Sequence, residues 1–422
     1  MSFRHYQNYK NSGVEWLGGV PEHWKVISIK WLSSVLRGAS PRPIDDPKYF
    51  DDDGEYAWVR IADVSACDGV LRETTQTLSA LGSSLSVKIA PGELFVSIAG
   101  TVGKPCISEI KACIHDGFVY FPRLEINPKF LYRIFESGTC YAGLGKWGTQ
   151  LNLNTDTIGS IRVALPPQEE LSQVLAFLDR ETTKIDALIT EQQRLIELLK
   201  EKRQAVISHA VTEGLNPAVT MKDSGIEWLG EVPAHWEVMV IKRFSTLQRG
   251  HDLTDAERTE GPYAVVTSGG ISGTHGSFMA RGPGVVTGRY GSTGRLFYIE
   301  GDFWPHNTSL YVSDFHSNKP RFVWYSLQTV DFAAHSAKAA VPGIDRNDIH
   351  VLPVAVPPRD EQPAIVAFLD CETAKLDNLT AEAERGITLL QERRRALISA
   401  AVTGKIDARG VVAAPPERGV AA

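Results

Sequence analysis

The sequence contains no long uninterrupted run of apolar residues. None of its stretches approaches the roughly 20 apolar residues that a membrane-spanning helix needs. Apolar residues make up 43% of the 422 positions and charged residues 22%, which is typical of a globular protein. The first ten residues, MSFRHYQNYK, include no apolar core of a signal peptide, so we expect a cytoplasmic protein.

Cysteine is also scarce, and its spacing excludes two kinds of site. The five cysteines form an odd set without any C-x-x-C pair. Neither a disulfide framework nor a zinc site is therefore expected, and we interpret the thiols as packed side chains. They are Cys67, Cys106, Cys113, Cys140 and Cys371.

Sequence motifs for catalysis are missing as well. The N/D-P-P-Y/F motif of adenine methyltransferases is absent, because the three Pro-Pro pairs follow Leu165, Val356 and Ala414. The stretch AGTVGK at 99–104 lacks the spacing of a phosphate-binding loop, and H-E-x-x-H does not occur. We predict that the isolated chain catalyses nothing and holds no metal or cofactor.

Positive charge is not in excess. The net charge is −6, which argues against a simple electrostatic binder of nucleic acid. Residues 30–162 contain 14 Lys and Arg against 15 Asp and Glu, and residues 243–348 contain 10 against 10. A near-neutral domain can still gather its cations on one face, so DNA binding is not excluded.

Two phrases occur twice. NSGVEWLGGVPEHW at 11–24 returns as DSGIEWLGEVPAHW at 223–236 with ten of fourteen positions identical, and we call this phrase the WLG motif. VALPPQEELSQVLAFLDRETTKIDALI from Val163 returns from Val354, at an offset of 191 rather than 212. The chain is therefore a tandem duplication in which the segment between the two phrases is 21 residues shorter in the second copy.

The second phrase opens a long helix in each copy. Residues 179–213 contain no Gly or Pro, and Gly214 offers a stop. Apolar residues spaced like positions a and d of a heptad predict helix pairing and partner docking, although each helix could instead only cap its own domain. The predicted pairing residues are Ile185, Leu188, Leu195, Leu199, Val206, Leu376, Leu379, Leu390 and Leu397.

The segments between the phrases contain short β-favouring runs punctuated by Gly, Pro, Asp and Ser. We therefore predict an α+β protein with two strand-rich globular domains in tandem, each followed by a long helix. The helices are expected to pair as an antiparallel coiled coil with pseudo-twofold symmetry. The predicted boundaries are 1–162 and 216–353 for the domains, 163–215 and 354–407 for the helical regions, and 408–422 for a disordered tail.

This layout resembles the specificity subunit of type I restriction-modification systems. The resemblance rests on SGVEWLGGVPEHW, a strand-rich middle, LPPQEE, and FLDRETTKIDALI continuing to LLKEKRQAVI, all occurring twice in order over residues 11–408. It implies a non-catalytic subunit whose two target recognition domains read the halves of a bipartite asymmetric site in double-stranded DNA. It further implies that the helices bind two methyltransferase subunits, that a motor-nuclease subunit can join, and that S-adenosylmethionine, ATP and magnesium are held by those partners.

Loops rich in Gly with nearby cations are the candidate DNA contacts. TGRYGSTGR at 287–295 falls between two strand-like runs, and its aligned stretch in the first copy ends at Lys104. Arginine can contact a guanine edge in a bidentate manner, and Gln and Asn can read adenine. Ordinary hairpin turns and fold contacts would look similar. The candidates are Arg37, Arg42, Lys104, Lys146, Trp147, Gln150, Asn152, Arg249, His251, Arg289, Tyr290, Arg295, Lys338 and Arg346.

Two interpretations of other features stay open beside these. The tryptophans of the WLG motif suit a structural role better than DNA stacking, because a motif shared by two differently reading domains cannot distinguish their targets. For the chain as a whole, the alternative from another functional class is a non-catalytic protein scaffold whose duplicated helices recruit partners without reading DNA.

Overall fold

The computed structural model describes residues 3–144, 153–332, 334–335 and 343–410. The chain divides into two compact units, Met1–Glu191 with Gly386–Ala422, and Gln192–Arg385. Both mix helices with strands, so the predicted α+β class is confirmed. Each unit contains one strand-rich region and about half of each long helix.

The first unit is built on two sheets. Their strand orders are β4-β12-β9-β10-β6 and β7-β5-β11-β8, and two antiparallel pairs, β1 with β2 and β3 with β13, lie outside them. The strands are β1 (Tyr9–Asn11), β2 (Gly19–Pro21), β3 (Lys25–Ser28), β4 (Leu36–Arg37), β5 (Tyr56–Val59), β6 (Val70–Leu71), β7 (Thr77–Leu78), β8 (Val87–Ile89), β9 (Leu94–Ser97), β10 (Pro105–Ser108), β11 (Ala112–Ile114), β12 (Phe118–Tyr120) and β13 (Arg162–Leu165).

Short helices of the first unit pack against these sheets, and the last helix in chain order is a long one. Two buried phenylalanines, Phe95 and Phe118, pack edge to face at 5.4 Å between sheet strands. The helices are α1 (Ile61–Ala66), α2 (Ala80–Ser84), α3 (Pro128–Ser137), α4 (Thr155–Ser160) and α5 (Gln168–Thr212), with short 3-10 helices at Ile29–Trp31, Pro47–Tyr49 and Thr139–Tyr141.

The second unit repeats this plan with fewer strands. Its sheets have the orders β17-β23-β20-β21 and β19-β18-β22, and the outlying pairs are β14 with β15 and β16 with β24. The elements are β14 (Met221–Asp223), β15 (Glu231–Pro233), β16 (Glu237–Val240), α6 (Ile241–Phe244), β17 (Thr246–Arg249), β18 (Tyr263–Thr267), β19 (Gly270–His275), β20 (Gly284–Gly288), β21 (Leu296–Ile299), β22 (Phe303–Pro305), β23 (Ser309–Asp314), α7 (Pro320–Leu327), α8 (Arg346–His350), β24 (Pro353–Val356) and α9 (Gln362–Val402).

The long helices are longer than the sequence predicted. Helix α5 has 45 residues and starts eleven positions before the predicted 179, because the residues directly after Pro167 are already helical. It ends before Gly214, as expected, and that glycine has a positive φ of 81°. Helix α9 has 41 residues and continues through Gly386, because packing along the helix outweighs the cost of about 1 kcal/mol for one interior glycine.

Halves of the two long helices contact each other inside each unit. In the first unit, Arg394 Nε of α9 donates to Asp186 Oδ1 of α5 at 2.8 Å. In the second unit, Arg203 Nε of α5 donates to Asp377 Oδ1 of α9 at 2.9 Å. The four residues are equivalent under the offset of 191. Among the predicted pairing residues, those buried are Ile185, Leu199, Leu376 and Leu397, while Leu188, Leu195 and Leu379 are exposed.

The WLG motif is a structural element, as the sequence indicated. Trp24 and Trp236 are fully buried, and each indole Nε1 donates to a carboxylate beside the start of a long helix, Glu170 at 2.9 Å and Glu361 at 3.0 Å. His23 and His235 contact the same carboxylates. The motif therefore fastens each strand-rich region to a long helix.

One β-favouring run is a strand only in part, and the interpretation of one cysteine was wrong. The run YAWVRIADV at 56–64 forms β5 as far as Val59 and then becomes α1, because the Asp63 carboxylate caps the backbone N–H of Arg60. Cys371 is exposed on α9, whereas Cys106, Cys113 and Cys140 are buried as expected. Cys67 is half-buried, and the hydrogen bond from the Cys106 thiol lowers its pKa to about 6.

The described part of the chain has no helix long and apolar enough to cross a bilayer. In the same residues, no group of three or more His, Cys, Asp or Glu side chains is arranged to hold a metal ion.

Candidate nucleic-acid interface

Three loops meet at one end of a sheet in each unit. In the first unit they are residues 37–42, 98–104 and 115–117, which we call the first loop edge. In the second unit they are residues 249–254, 288–295 and 306–308, the second loop edge. The predicted loop TGRYGSTGR does connect two paired strands, β20 and β21, and its counterpart connects β9 and β10.

The two edges share one set of backbone hydrogen bonds. Ile98 N donates to Gly117 O at 2.8 Å in the first edge, and Arg289 N donates to Thr308 O at 2.9 Å in the second. These positions correspond under the offset of 191. Three more hydrogen bonds are shared. In the first edge they are Gly38 N to Phe118 O, Ala39 N to Ile114 O and Ser97 N to Lys104 O. Their equivalents in the second edge are, in the same order, Gly250 N to Ser309 O, His251 N to Pro305 O and Gly288 N to Arg295 O.

An Arg-Gly pair stands at the start of each loop edge. Its glycine is required because a backbone carbonyl of the same edge lies very close to it. A Cβ added at Gly38 would lie 2.2 Å from His115 O, and one added at Gly250 would lie 2.1 Å from His306 O. No side chain fits at either position. The fold therefore requires glycine after Arg37 and after Arg249.

Cations of the first loop edge are occupied by partners within the chain. Arg42 pairs with Asp116 at 3.1 Å, and the Arg37 guanidinium donates to the Asp116 carbonyl. Lys104 Nζ donates to the carbonyls of Ser65 and Cys67 at 3.0 and 2.8 Å. Each of these cations would have to exchange an internal contact for a ligand.

Cations of the second loop edge are more available. Arg249 pairs with Asp252 at 3.2 Å. Arg289 lies over the Tyr290 ring at 4.5 Å and Arg295 over the Phe297 ring at 5.2 Å, and neither has a carboxylate within 4 Å among the described residues. Both guanidinium groups therefore keep their hydrogen-bond donors free of internal acidic partners, as contacts with phosphate or base edges require.

The remaining predicted residues divide into three groups. Tyr290 is 39% exposed and bridges to Gly343, shortly before Arg346 at the start of α8, so these two lie on adjoining segments. His251 instead packs against Trp304 and Tyr311. Outside the described residues are Lys146, Trp147, Gln150, Asn152 and Lys338.

Sequence reasoning missed the residues that organise each edge. Asp116 holds both arginines of the first edge, and its counterpart Asn307 donates to Asp252 in the second. Burial lowers the pKa of His115, whose Nδ1 accepts from Gly117 N at 2.8 Å, so this imidazole is a neutral part of the turn. The polar turns IHDG and PHNT preceding β12 and β23 were the signal that could have identified them.

Comparison with known proteins identifies relatives over most of the chain. The EcoDI specificity subunit of a type I restriction enzyme from Escherichia coli is 22% identical over 93% of this chain and 90% of its own length. The MjaVIII specificity subunit from Methanocaldococcus jannaschii is 24% identical over 58% of this chain, which spans about half, 55%, of that relative.

A solved structure has the same fold. It comes from work titled "Structural basis underlying complex assembly and conformational transition of the type I R-M system". The TM-score is 0.69 at 14% identity, covering 92% of this chain and 99% of the other.

The family model of the type I restriction modification DNA specificity domain matches residues 21–199 and 233–388. These two matches cover well over half of the 422 residues and include both loop edges. The chain therefore belongs to the type I restriction-modification DNA specificity family and carries its specificity domain twice.

Proposed function

We propose that this chain reads a bipartite asymmetric DNA target, with the first loop edge reading one half and the second loop edge the other. The observation that carries the proposal is the shared backbone of the two edges combined with different side chains at equivalent positions. Ile98 in the first edge corresponds to Arg289 in the second, Lys104 to Arg295, and Asp116 to Asn307. Two domains that recognise different DNA sequences can use the same backbone, provided that the side chains facing the DNA differ.

The arginines of the second edge suit direct reading. A guanidinium can donate two hydrogen bonds to the guanine O6 and N7, and it can also neutralise phosphate. Arg289 has its backbone anchored on both sides, by Thr308 O at 2.9 Å and by Ile344 N at 3.0 Å. A fixed backbone limits the positions that the guanidinium can reach, and such restriction favours specificity over general affinity.

The long helices would recruit two methyltransferase subunits. Leucines exposed on α5 and α9 include Leu188, Leu195 and Leu379, with 52%, 42% and 48% of their surface accessible. Leu188 and Leu195 are seven positions apart and therefore lie on the same face of α5, and an apolar patch on one face is typical of a surface that a protein partner covers. Under this proposal the chain itself catalyses nothing, and S-adenosylmethionine, ATP and magnesium belong to the partners, which can include a motor-nuclease subunit.

The helices would also set the distance between the two half-sites. The contacts between Asp186 and Arg394 and between Arg203 and Asp377 support an antiparallel pair, since a rising number on α5 matches a falling number on α9. We expect that inserting one turn, four residues, into residues 185–205 of α5 and into the facing part of α9 lengthens the unread gap without altering either half-site. Methylation mapping of the variant would contradict this if the gap were unchanged.

Methylation mapping also tests the proposal as a whole. DNA is compared from cells with the complete complex, cells without this chain, and cells with Arg289→Ala. We expect a single bipartite motif that disappears without the chain and becomes degenerate in one half in the variant. If methylation remains independent of sequence while the complex assembles normally, the chain is a protein scaffold instead.

A further inference from the structure

Each unit contains a carboxylate that fastens the WLG motif. The first carboxylate cluster consists of Tyr6, His23, Trp24 and Glu170. Glu170 accepts from His23 Nε2 at 2.8 Å, from Trp24 Nε1 at 2.9 Å and from the Tyr6 hydroxyl. Its side chain is 8% exposed, so three donors surround a buried carboxylate.

The second carboxylate cluster, His235, Trp236 and Glu361, lacks the third donor. Glu361 contacts His235 Nε2 at 2.6 Å and Trp236 Nε1 at 3.0 Å. Its side chain is 40% exposed. A carboxylate oxygen has room for two hydrogen bonds, so the oxygen bonded to Trp236 retains capacity that the equivalent oxygen of Glu170 uses for Tyr6.

The duplication explains the missing donor. Under the offset of 212 the counterpart of Tyr6 is Ala218. Gly404 and Gly214 contact equivalent residues of the two WLG motifs, and counting on from them the counterpart of Arg409 is Val219. In the first unit the Arg409 guanidinium lies 4.8 Å from the centre of the Tyr6 ring. Ala218 and Val219 thus stand where the first copy has a phenol and the cation that covers it.

A pocket of about 350 Å³ opens beside Glu361 in the second unit. Its size lies at the lower end of the range for small-ligand sites, about 300–1,000 Å³. The walls include Val219, Pro233, Trp236, Ala364 and Ile365, and Glu361 supplies the acceptor. Glu213, Asn216 and His235 also line the pocket, so apolar walls are combined with polar groups, and this combination suits a ring that carries a hydroxyl.

We propose that the Glu361 pocket binds a tyrosine side chain of a protein partner, whose hydroxyl donates to Glu361 as Tyr6 donates to Glu170. The first copy argues for this occupant because the same motif, carboxylate and helix start surround a tyrosine there. Burial and the bond to Glu170 raise the pKa of the Tyr6 hydroxyl, so that phenol stays a donor. A partner tyrosine would complete the second cluster in the same way.

The chain has no unplaced tyrosine to fill the pocket itself. The residues outside the described ranges, which include 145–152, 336–342 and 411–422, contain no tyrosine. We therefore assign the occupant to a protein partner.

The first experiment uses p-cresol, which is the tyrosine side chain as a free molecule, and toluene, which lacks the hydroxyl. Calorimetric titration of the full chain should give a dissociation constant for p-cresol on the order of 1 mM, as expected for a ligand of this size. Toluene should bind at least about fivefold more weakly, because it cannot donate to the carboxylate. Equal binding of both compounds, or no binding of p-cresol, would overturn the proposal.

Two variants locate the binding. Glu361→Gln removes the charged acceptor and should weaken p-cresol binding about tenfold. Ala364→Phe fills the pocket from the helix side while Glu361 itself is kept, and it should abolish binding. Asp360→Ala, an exposed neighbour, is the matched control and should bind as the unaltered chain does. Binding that survives both pocket variants lies elsewhere and contradicts the proposal.

The last experiment concerns the partner, and choosing the methyltransferase subunit for it rests on the proposed function. Glu361→Gln and Ala364→Phe should each lower the affinity for that subunit at least about tenfold, while Asp360→Ala should not. Unchanged affinity would mean that the pocket serves a free phenolic ligand, and the assignment to a protein partner would be wrong. Sequence-specific methylation would persist in that case, so the two proposals fail separately.

Discussion

The two loop edges share their backbone hydrogen bonds but differ in whether their cations have partners within the chain. In the first edge Asp116 takes up Arg37 and Arg42, and Lys104 is bound to carbonyls. In the second edge an asparagine replaces that aspartate, and Arg289 and Arg295 keep no acidic partner among the described residues. Because Arg42 is paired with the Asp116 carboxylate and Ile98 stands where the second edge has Arg289, the two edges differ in how much unpaired positive charge they can offer to DNA.

The largest expected effect tests the shared backbone. Gly38→Ala and Gly250→Ala each place a methyl group about 2 Å from a carbonyl oxygen, so the loop must move. We expect a loss of about 3 kcal/mol in the free energy of unfolding for each, measured by chemical denaturation. Gly301→Ala is the control, since nothing lies within 4 Å of its added Cβ. A loss below about 0.5 kcal/mol would show that the edges are not held by this contact.

The next effect concerns DNA affinity in the complete complex. Arg289→Ala should cost about 1–3 kcal/mol and relax specificity in one half-site, because its donors have no internal acidic partner. Arg42→Ala should cost less than about 1 kcal/mol, since this arginine is already paired with Asp116. Fluorescence anisotropy with the cognate duplex measures both. Equal losses would remove the distinction between the edges.

A smaller effect on DNA affinity is expected from exchanging Asp116 and its counterpart Asn307. Asp116→Asn releases Arg42 and should strengthen nonspecific DNA binding by about 1 kcal/mol while steepening its salt dependence. Asn307→Asp, the reverse exchange at the equivalent position, should weaken binding by a similar amount. Anisotropy titrations at several salt concentrations compare the two, and changes of the same sign would contradict the argument.

The smallest effect is a dependence on pH. Burial lowers the pKa values of His115 and His350 in the fold, so each imidazole stays neutral there while the unfolded state takes up a proton near pH 6.5. The free energy of unfolding is therefore unaffected by these histidines above pH 6.5. It decreases as the pH falls from 6.5 through the lower pKa of the folded state. His350→Gln should flatten the decline of Tm between pH 7.5 and 5.5. An unchanged decline in this variant would contradict the assignment to His350.

Parts of this arrangement were predictable from the sequence because they depend on local pattern. The doubled WLG motif, the α+β class and the end of α5 before Gly214 follow from spacing and composition. The hairpin at 287–295 follows from glycines between β-favouring runs. The partners of the candidate cations did not follow, since Asp116 is 74 residues from Arg42, and no local rule joins them.

The sequence by itself determined that the protein is duplicated and which positions correspond. Only the tertiary structure decided which of those positions are chemically alike. Glu170 and Glu361 are identical in the alignment, yet one is buried beneath Tyr6 and the other faces a pocket, because residues distant in the chain meet at the first and not at the second. Burial and hydrogen bonding depend on what surrounds a side chain, and folding brings those surroundings together.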